Sequence, residues 1–431
     1  MAYENNSGPD DIFERRESRV RSYCRAFPDL FRSARGAEMV ADDGRYYIDF
    51  LSGCSTLNYG HNHPELKRAL IEYISADGVA HGLDMHTEAK ARFLEALERY
   101  VLVPRKMDYC AMFPGPTGAN AVEAAIKIAR KVTGRTNIVA FTNGFHGMTL
   151  GALSLTGNSG KREGAGIPLT GVSHEPYCGY FGDEADTADQ LDQRLSDPSS
   201  GIDKPAAIIA ETVQGEGGLN VASDVWLRQI ERIAHKHGAL LIIDDIQAGI
   251  GRAGGFFSFE RAGIRPDIVT LAKSLSGFGL PLALTLIRPQ YDQWKPGEHN
   301  GTFRGNNHAF VTAARALELF WADNTFELEI ARKAARLRSA LKEIAESSPF
   351  ASHVKGRGMM TGIEMRSGDI ASEICGECFK NGLIIETSGG QGEVVKVLAP
   401  LNIPDSELDA GLAVLADAAR AVAARHKKSV A

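Results

Sequence analysis

In the stretch Leu240-Leu-Ile-Ile-Asp-Asp-Ile-Gln247, a short apolar run is followed directly by two acidic residues, Asp244 and Asp245. Further along the chain, Pro266-Asp-Ile-Val-Thr-Leu-Ala-Lys273 is a second apolar run, and it ends in a lysine. Apolar runs without polar alternation are typical of parallel strands that are buried on both faces. Ligands of parallel sheets bind at the carboxyl ends of the strands. The two stretches therefore predict that Asp244 and Lys273 face one crevice.

A carboxylate and a lysine in one crevice suit pyridoxal 5'-phosphate as a cofactor. A lysine amine forms a Schiff base with the cofactor aldehyde. A carboxylate at the ring nitrogen keeps the ring protonated, so that the ring accepts electrons from a substrate carbanion. We therefore expect Lys273 and Asp244 to be the catalytic residues.

Helical and strand patterns alternate between residues 63 and 324. Amphipathic periodicity predicts helices at residues 64–75, 87–101, 119–133 and 226–237. Apolar runs predict strands at residues 138–141, 206–210, 240–243 and 268–271. This alternation indicates an α/β fold in which a mostly parallel sheet lies between helices.

The two flanking segments differ from this pattern. Residues 11–35 look helical and then irregular, and Asp42-Asp-Gly44 between two apolar runs predicts a β-hairpin. After residue 324 we expect a long charged helix, a strand near residues 359–364, a helix, a strand near residues 394–398 and a final helix from Ser406. Residues 63–324 are then the large cofactor-binding domain. Residues 1–62 are expected to join a small α+β domain at residues 325–431.

The composition is that of an ordinary globular protein. The chain has 431 residues, of which 44% are hydrophobic and 24% charged, and a net charge of -6. Because lysine and arginine are dispersed, we expect no nucleic acid partner. The N-terminal residues lack a basic and apolar leader, and no segment reaches about 18 uninterrupted apolar residues, so we expect a cytoplasmic protein that does not enter the membrane.

Cysteine and histidine spacings do not predict a metal site. The 6 cysteines are scattered, which fits reduced thiols. Cys375-Gly-Glu-Cys378 lacks the second pair that would complete a zinc site. His61-Asn-His63-Pro64 follows a glycine and ends in a proline, which favours a turn. We interpret both motifs as structural and expect no metal.

A glycine-bearing loop, Phe113-Pro-Gly-Pro-Thr-Gly118, runs directly into a predicted helix. Free backbone N–H groups and the helix dipole at such a start attract phosphate. We expect Gly118 and Ala119 to donate to the cofactor phosphate, with Thr117 at the loop edge. A turn without a ligand is the alternative.

Two further loops follow predicted strands. In Asn143-Gly-Phe-His-Gly147, Phe145 is expected to stack on the cofactor ring. His146 would border the ring, or be held by backbone hydrogen bonds in a turn. Glu211 and Glu216 flank a glycine-rich turn and are expected to contact the ligand. A solvated loop position is the alternative for Glu216.

Together these motifs resemble the class III aminotransferases, which are fold-type I pyridoxal phosphate enzymes. The resemblance covers about residues 35 to 400, and it rests on Phe145-His-Gly147, Gln214-Gly-Glu216, the run from Asp244 to Gly254, the run from Pro266 to Lys273, and Gly301-Thr-Phe-Arg-Gly-Asn306.

The resemblance implies a role for each matching residue. Lys273 resembles the Schiff-base lysine, Asp244 the partner of the ring nitrogen, and Gln247 the contact to the ring hydroxyl. Gly118 and Ala119 resemble the residues that donate to the cofactor phosphate. Thr302 resembles a threonine that reaches the phosphate from the neighbouring subunit. This implies a homodimer or a higher homo-oligomer whose active site is shared between subunits.

The chain departs from the family pattern at two positions. Many relatives have an arginine after Phe-His-Gly, where this chain has Met148, and a late arginine that grips a carboxylate, where it has Lys396. Without a bidentate guanidinium, a substrate carboxylate must be held differently. We expect Arg304, helped by Lys396, to hold it. The resemblance also implies that Glu216 pairs with Lys396 for one substrate and releases it for the other.

These departures, together with Leu83-Asp-Met85 and Glu386-Thr-Ser-Gly389, are most similar to the family members that form L-2,4-diaminobutyrate. That resemblance implies reversible amino transfer between L-glutamate and L-aspartate 4-semialdehyde, giving 2-oxoglutarate and L-2,4-diaminobutyrate, in ectoine biosynthesis. The alternatives are another ω-aminotransferase that acts on ornithine, acetylornithine or γ-aminobutyrate, an aminomutase, and a catalytically inactive binding relative.

Overall fold

The computed structural model describes residues 12–182 and 184–430 of the chain. The N-terminal part contains α1 (Ile12–Arg16), α2 (Tyr23–Ala26), β1 (Phe31–Arg35), β2 (Glu38–Ala41), β3 (Tyr46–Asp49) and the short turn α3 (Ser52–Ser55). The middle part contains α4 (Pro64–Ser75), α5 (Glu88–Leu97), β4 (Cys110–Met112), α6 (Gly118–Thr133), β5 (Ile138–Phe141), α7 (Leu150–Leu155), α8 (Ser159–Arg162), β6 (Val172–Glu175), α9 (Thr187–Ser196), β7 (Ala207–Ala210), β8 (Val213–Gln214), β9 (Asn220–Val221), α10 (Asp224–Lys236), β10 (Leu240–Asp244), β11 (Ile268–Leu271), β12 (Leu284–Ile287) and α11 (Asn307–Phe320). The C-terminal part contains α12 (Thr325–Ser347), β13 (Ala351–Arg357), β14 (Met360–Met365), α13 (Gly368–Lys380), β15 (Leu383–Ile384), β16 (Glu386–Ser388), β17 (Val394–Val397) and α14 (Asp405–Val430).

The central sheet contains seven strands in the order β4–β12–β11–β10–β7–β5–β6. The strands from β11 to β6 run parallel to one another, which confirms the predicted sheet. β12 runs antiparallel to both β11 and β4. The sequence analysis did not predict β12, and an apolar run alone does not give the direction of a strand.

Both faces of the central strands are covered, which explains their uninterrupted apolar sequence. Ile242 lies in an apolar cluster with Val122 of α6, whereas the next residue, Ile243, lies in a cluster with Ile230 of α10. Burying one isoleucine side chain stabilises the fold by about 1.5–3 kcal/mol. The strands are therefore fixed on both sides, and the residues at their carboxyl ends are held in place.

Predicted element boundaries agree closely with the structure. The strands at residues 138–141 and 268–271 and the helix at residues 64–75 are confirmed. β7 begins one residue later than predicted, β10 ends one residue later, and α6 begins one residue earlier. The helix predicted at residues 87–101 is split, because α5 passes into a π-helical turn at Glu98–Leu102.

The N-terminal segment forms a sheet in the order β1–β2–β3–β15. The predicted hairpin is confirmed by the antiparallel pairing of β2 with β3, and Gly44 adopts the left-handed φ of +88° in the turn. The prediction that residues 11–35 end irregularly was wrong, because β1 pairs with β2. Its polar residues, Arg32 and Ser33, are tolerated at an exposed sheet edge. β3 pairs in parallel with the C-terminal β15, while the domain boundaries at residues 62 and 324 stay predictions.

Arg252 is a fully buried side chain that joins three distant parts of the chain. Its Nη2 donates to Asn58 Oδ1 at 2.6 Å, and its Nη1 donates to the carbonyl oxygens of Ala399 at 2.6 Å and Met359 at 3.1 Å. Burial lowers the pKa of Arg252 to about 9, against the attraction of Asp49. The N-terminal, central and C-terminal segments are thus connected by one guanidinium.

Within residues 12–182 and 184–430, no helix combines the length and the apolar character needed to cross a membrane.

Candidate active site

A cavity of about 370 Å³ opens at the carboxyl ends of β5, β10 and β11. Most of the predicted site residues line it: Thr117, Gly118, Ala119, Phe145, His146, Glu211, Glu216, Asp244, Gln247 and Lys273. Thr302, Arg304 and Lys396 do not line it. The crevice predicted from the two apolar runs is therefore present, and it contains both Asp244 and Lys273.

Lys273 begins a 3₁₀ turn just beyond the end of β11. Its φ of +52° is left-handed, a conformation that costs a non-glycine residue about 1–3 kcal/mol and is common at active sites. Burial lowers the pKa of Lys273, against the opposing attraction of Glu216. A lysine with a lowered pKa carries more of the neutral amine that attacks an aldehyde.

Asp244 is the last residue of β10, and both of its carboxylate oxygens are held. Oδ2 lies 2.7 Å from His146 Nδ1, and Oδ1 accepts from Ile246 N at 3.2 Å and from Thr270 Oγ1 at 3.3 Å. Although burial lowers the pKa of His146, hydrogen bonding to Asp244 raises it overall. His146 therefore orients the carboxylate. Its backbone N–H also donates to Thr156 Oγ1, as expected for a turn.

Glu211 lines the cavity near Asp244 and His146. Its Oε2 accepts from Phe145 N at 3.0 Å, which ties it to the loop that carries the predicted stacking ring. Burial raises the pKa of Glu211 to about 7, and the nearby Asp244 adds to this effect against the attraction of His146.

The N-terminus of α6 is built to receive an anion. Thr117 N donates to Asn120 Oδ1 at 3.1 Å, and the first helical residue is Gly118. A Cβ added at Gly118 would lie 2.9 Å from Cδ1 of Ile246, so a larger residue would require that side chain to shift. The exposed N–H groups of a helix start bind phosphate well.

Gln247 provides the clearest test of whether the predicted cofactor fits. Its Nε2 donates to Glu216 Oε1 at 3.2 Å and to the Cys54 carbonyl oxygen at 3.4 Å. Its Oε1 is buried and has no hydrogen bond to any described residue. Leaving such an oxygen unsatisfied costs about 1–3 kcal/mol, and a ring hydroxyl would satisfy it. The residues of the cavity therefore fit pyridoxal 5'-phosphate.

Lys396 lies behind the cavity between two carboxylates. Its Nζ is 3.0 Å from Glu216 Oε1 and 3.0 Å from Glu386 Oε1. Burial alone would raise the pKa of Glu216, but Lys396 and Lys273 lower it to about 2. Burial lowers the pKa of Lys396, but Glu216 and Glu386 raise it above its usual value. The expected pairing of Glu216 with Lys396 is observed, and sequence reasoning gave Glu386 no role.

The turn α3 is a second feature that sequence reasoning missed. Ser52, Gly53, Cys54 and Ser55 all have left-handed φ values between 47° and 69°. Left-handed residues other than glycine cost about 1–2 kcal/mol each. The turn places Cys54 Sγ 2.8 Å from Tyr23 Oη and 3.7 Å from Glu386 Oε1, and it leads to Thr56, which lines the cavity. Gly53 was the only signal in the sequence.

Thr302 and Arg304 lie on a loop outside the cavity of their own chain. Arg304 Nη1 is 3.1 Å from Asn300 Oδ1 and 3.9 Å from Asp84 Oδ2. Met148 is exposed. The expected contacts of Thr302 and Arg304 with the ligands are not seen within one chain, and they stay predictions.

The histidine and cysteine motifs lie in ordinary structural positions. His61 Nε2 lies 2.8 Å from Asp49 Oδ2, and His63 directly precedes α4. Cys375 and Cys378 are free thiols on α13. In the part of the chain that the structure describes, no three side chains of histidine, cysteine, aspartate or glutamate are grouped so as to bind a metal ion.

Comparison with known proteins places the chain among the transaminases. A family described as Aminotransferase class-III matches residues 25–419. The diaminobutyrate--2-oxoglutarate transaminase of Vibrio cholerae is 56% identical over 406 residues, covering 94% of this chain and 98% of the relative. That of Halomonas elongata is 56% identical over 408 residues, covering 94% and 97%.

The solved structures that resemble this chain include the ornithine aminotransferase of Toxoplasma gondii. It has a TM-score of 0.83 and 26% identity, and the match covers 96% of this chain and 94% of that chain. The description of that structure reports pyridoxal phosphate at partial occupancy in the active site.

Proposed function

The chain belongs to the class III aminotransferases, which use pyridoxal 5'-phosphate, and we propose that it transfers an amino group between L-glutamate and L-aspartate 4-semialdehyde. The products are 2-oxoglutarate and L-2,4-diaminobutyrate. One observation carries this proposal: relatives that are 52–56% identical over nearly the whole chain are named diaminobutyrate--2-oxoglutarate transaminases.

The bound cofactor accepts the amino group of one substrate and delivers it to the other. Lys273 Nζ would take the proton from the substrate carbon that carries the transferred amino group and deliver it to the cofactor carbon C4'. Asp244, oriented by His146, would hold the proton on the ring nitrogen. Gln247 Oε1 would accept from the ring hydroxyl, and the N-terminus of α6 would bind the phosphate. These assignments rest on the cavity geometry described above.

The proposal predicts how the cofactor responds to each substrate when the two half-reactions are followed separately. L-2,4-diaminobutyrate alone should remove the visible absorbance band of the lysine-bound cofactor, because the cofactor keeps the amino group. Adding 2-oxoglutarate should restore the band. An absorbance scan of the purified holoenzyme measures both steps, with ornithine and γ-aminobutyrate as parallel donors.

Each rival gives a different result in this scan. Loss of the band with ornithine or γ-aminobutyrate, but not with diaminobutyrate, would keep the family and contradict the substrate. Turnover of the amino acid without 2-oxoglutarate would identify an aminomutase. Absence of any cofactor band would indicate an inactive binding protein.

We also propose that the active unit is a homodimer or a higher homo-oligomer in which Thr302 and Arg304 of one subunit serve the cavity of the other. Their position outside their own cavity and their exposed loop support this proposal. Arg304 would hold a substrate carboxylate, since Met148 replaces the arginine of many relatives. The help that the sequence led us to expect from Lys396 is not part of this proposal, because Glu216 and Glu386 already pair with that lysine.

A mixing experiment tests whether subunits share the site. Lys273→Ala and Arg304→Ala variants, unfolded together and refolded, should regain activity. Half of the dimers are then hybrids with one intact site of two, so about a quarter of the wild-type kcat/KM is expected. Mixing Lys273→Ala with Asp244→Ala is the control, because both residues line one cavity and no site becomes intact. Equal recovery in the two mixtures, or none in either, would contradict sharing.

The proposed setting is the cytoplasm, with diaminobutyrate used for ectoine biosynthesis. The support for ectoine biosynthesis is the similarity of Leu83-Asp-Met85 and Glu386-Thr-Ser-Gly389 to the family members that form diaminobutyrate.

A further inference from the structure

The cluster of Glu216, Lys396 and Glu386 has an excess of negative charge. Glu386 of β16 lies directly opposite Lys396 in the antiparallel register of β16 and β17. The side chain of Lys396 is fully buried, and those of Glu386 and Glu216 are 12% and 23% exposed. Because one lysine neutralises one carboxylate, these three side chains retain one negative charge. Lys273, whose charge also acts on Glu216, is bonded to the cofactor in the resting holoenzyme.

That negative charge is available on the side of Glu216 that faces the cavity. Glu216 Oε1 accepts from both Lys396 and Gln247. Glu216 lines the cavity, and its Oε2 makes no hydrogen bond with any described residue. A carboxylate of this kind accepts a charge-assisted hydrogen bond from an ammonium group.

A simple pair of Glu216 with Lys396 would behave differently. Such a pair is neutral, and a substrate carboxylate could displace Glu216 and take the lysine. Here Lys396 also contacts Glu386 at 3.0 Å, so a substrate carboxylate that displaced Glu216 would still compete with Glu386 for the lysine. The cluster therefore favours a positive group over a carboxylate.

We propose that Glu386 is a positioning residue that sets substrate preference: by holding Lys396, it leaves Glu216 negative toward the cavity, where Glu216 binds the non-reacting ammonium group of L-2,4-diaminobutyrate. This inference rests on the proposed function. The same ammonium group is present in L-aspartate 4-semialdehyde. It is absent from γ-aminobutyrate, which is otherwise the same molecule as L-2,4-diaminobutyrate.

The test compares these two donors in wild-type holoenzyme and in the Glu386→Gln variant. In the variant, Lys396 pairs with Glu216 alone and the cluster becomes neutral. We expect kcat/KM for diaminobutyrate to fall about tenfold or more, mainly through KM, because Glu216, neutralised by Lys396, attracts the ammonium group less strongly. For γ-aminobutyrate we expect kcat/KM to stay the same or rise, since its carboxylate meets less negative charge. A merely structural role would lower both values.

Glu364→Gln is the matched control. Glu364 lies in the same sheet as Glu386, on β14, and its Oε1 is 3.1 Å from Lys355 Nζ. This variant removes a similar contact away from the cavity, and both donors should keep their kcat/KM. Glu386→Asp, which keeps the charge, should recover part of the preference for diaminobutyrate.

The outcomes separate this inference from the proposed function. An unchanged ratio between the two donors in Glu386→Gln, or an equal loss for both, overturns the role of Glu386. If that variant does not fold, Glu216→Gln must lose the same preference, and a retained preference overturns the inference. Wild-type enzyme that fails to use diaminobutyrate overturns the proposed function itself.

Discussion

Replacing Lys273 with alanine is expected to abolish transamination and the visible absorbance band of the lysine-bound cofactor. Positioned general-base catalysis alone contributes about 10²–10⁴-fold to a rate, and the variant also loses the covalent attachment of the cofactor. The fold should persist, because the Lys273 amine makes no hydrogen bond to the described residues that a truncation could break.

Three measurements check this expectation. Glutamate-dependent formation of diaminobutyrate gives the rate, and circular dichroism gives the fold. Borohydride reduction followed by peptide mass spectrometry locates the cofactor, which should be attached to Lys273 in the wild type and absent from the variant. Lys236→Ala is the control, because Lys236 is a surface lysine paired with Asp192 and should be dispensable. A cofactor attached to another lysine, with activity retained, would contradict the assignment.

Replacing Asp244 with asparagine is expected to lower kcat by about 10²–10³-fold, the usual cost of removing one preorganised electrostatic contact from an active site. Asparagine has nearly the same shape but carries no charge to keep the ring nitrogen protonated. It also changes the hydrogen bond with His146 Nδ1. Single-turnover rates with diaminobutyrate report the chemical step, and the affinity for added cofactor reports the loss of the ring contact.

The adjacent acid provides a matched control for Asp244. Asp245 is equally buried, but it accepts hydrogen bonds from Ser258 and does not line the cavity. Burial raises the pKa of Asp245 to about 7, against the Ser258 hydrogen bonds, so asparagine resembles its protonated form. Asp245→Asn should retain most of the activity. Equal losses in the two variants would show that Asp244 acts through folding and not through the cofactor.

The sequence predicted the strands and the residues at their ends well, because burial on both faces imposes an uninterrupted apolar run. That rule located β10 and β11 and brought Asp244 and Lys273 together. It was not applied to residues 284–287, so β12 was missed, and an apolar run does not give the direction of a strand in any case. It also missed β1, whose polar residues at the sheet edge do not alternate like a strand.

The details behind the cavity were harder to predict for a different reason. The pairing of Glu386 with Lys396 depends on the register of β16 and β17, and the glycine-rich loop between them does not fix that register in the sequence. The left-handed turn at Ser52–Ser55 is strained and is maintained by its surroundings. Propensities describe relaxed local preferences, so they do not indicate a turn of this kind.

The buried guanidinium of Arg252 has a consequence for synthesis on the ribosome. Asn58, one acceptor of its hydrogen bonds, leaves the ribosome before Arg252 does. The other two acceptors, the carbonyl oxygens of Met359 and Ala399, leave the ribosome long after it. A charge without acceptors is costly to bury, so the emerging chain cannot close its interior around residue 252. Domains usually mature in order from the N-terminus as they are translated. In this chain we therefore expect the region around residue 252, which follows the cavity residue Gln247, to become ordered only after residue 399 has been synthesised.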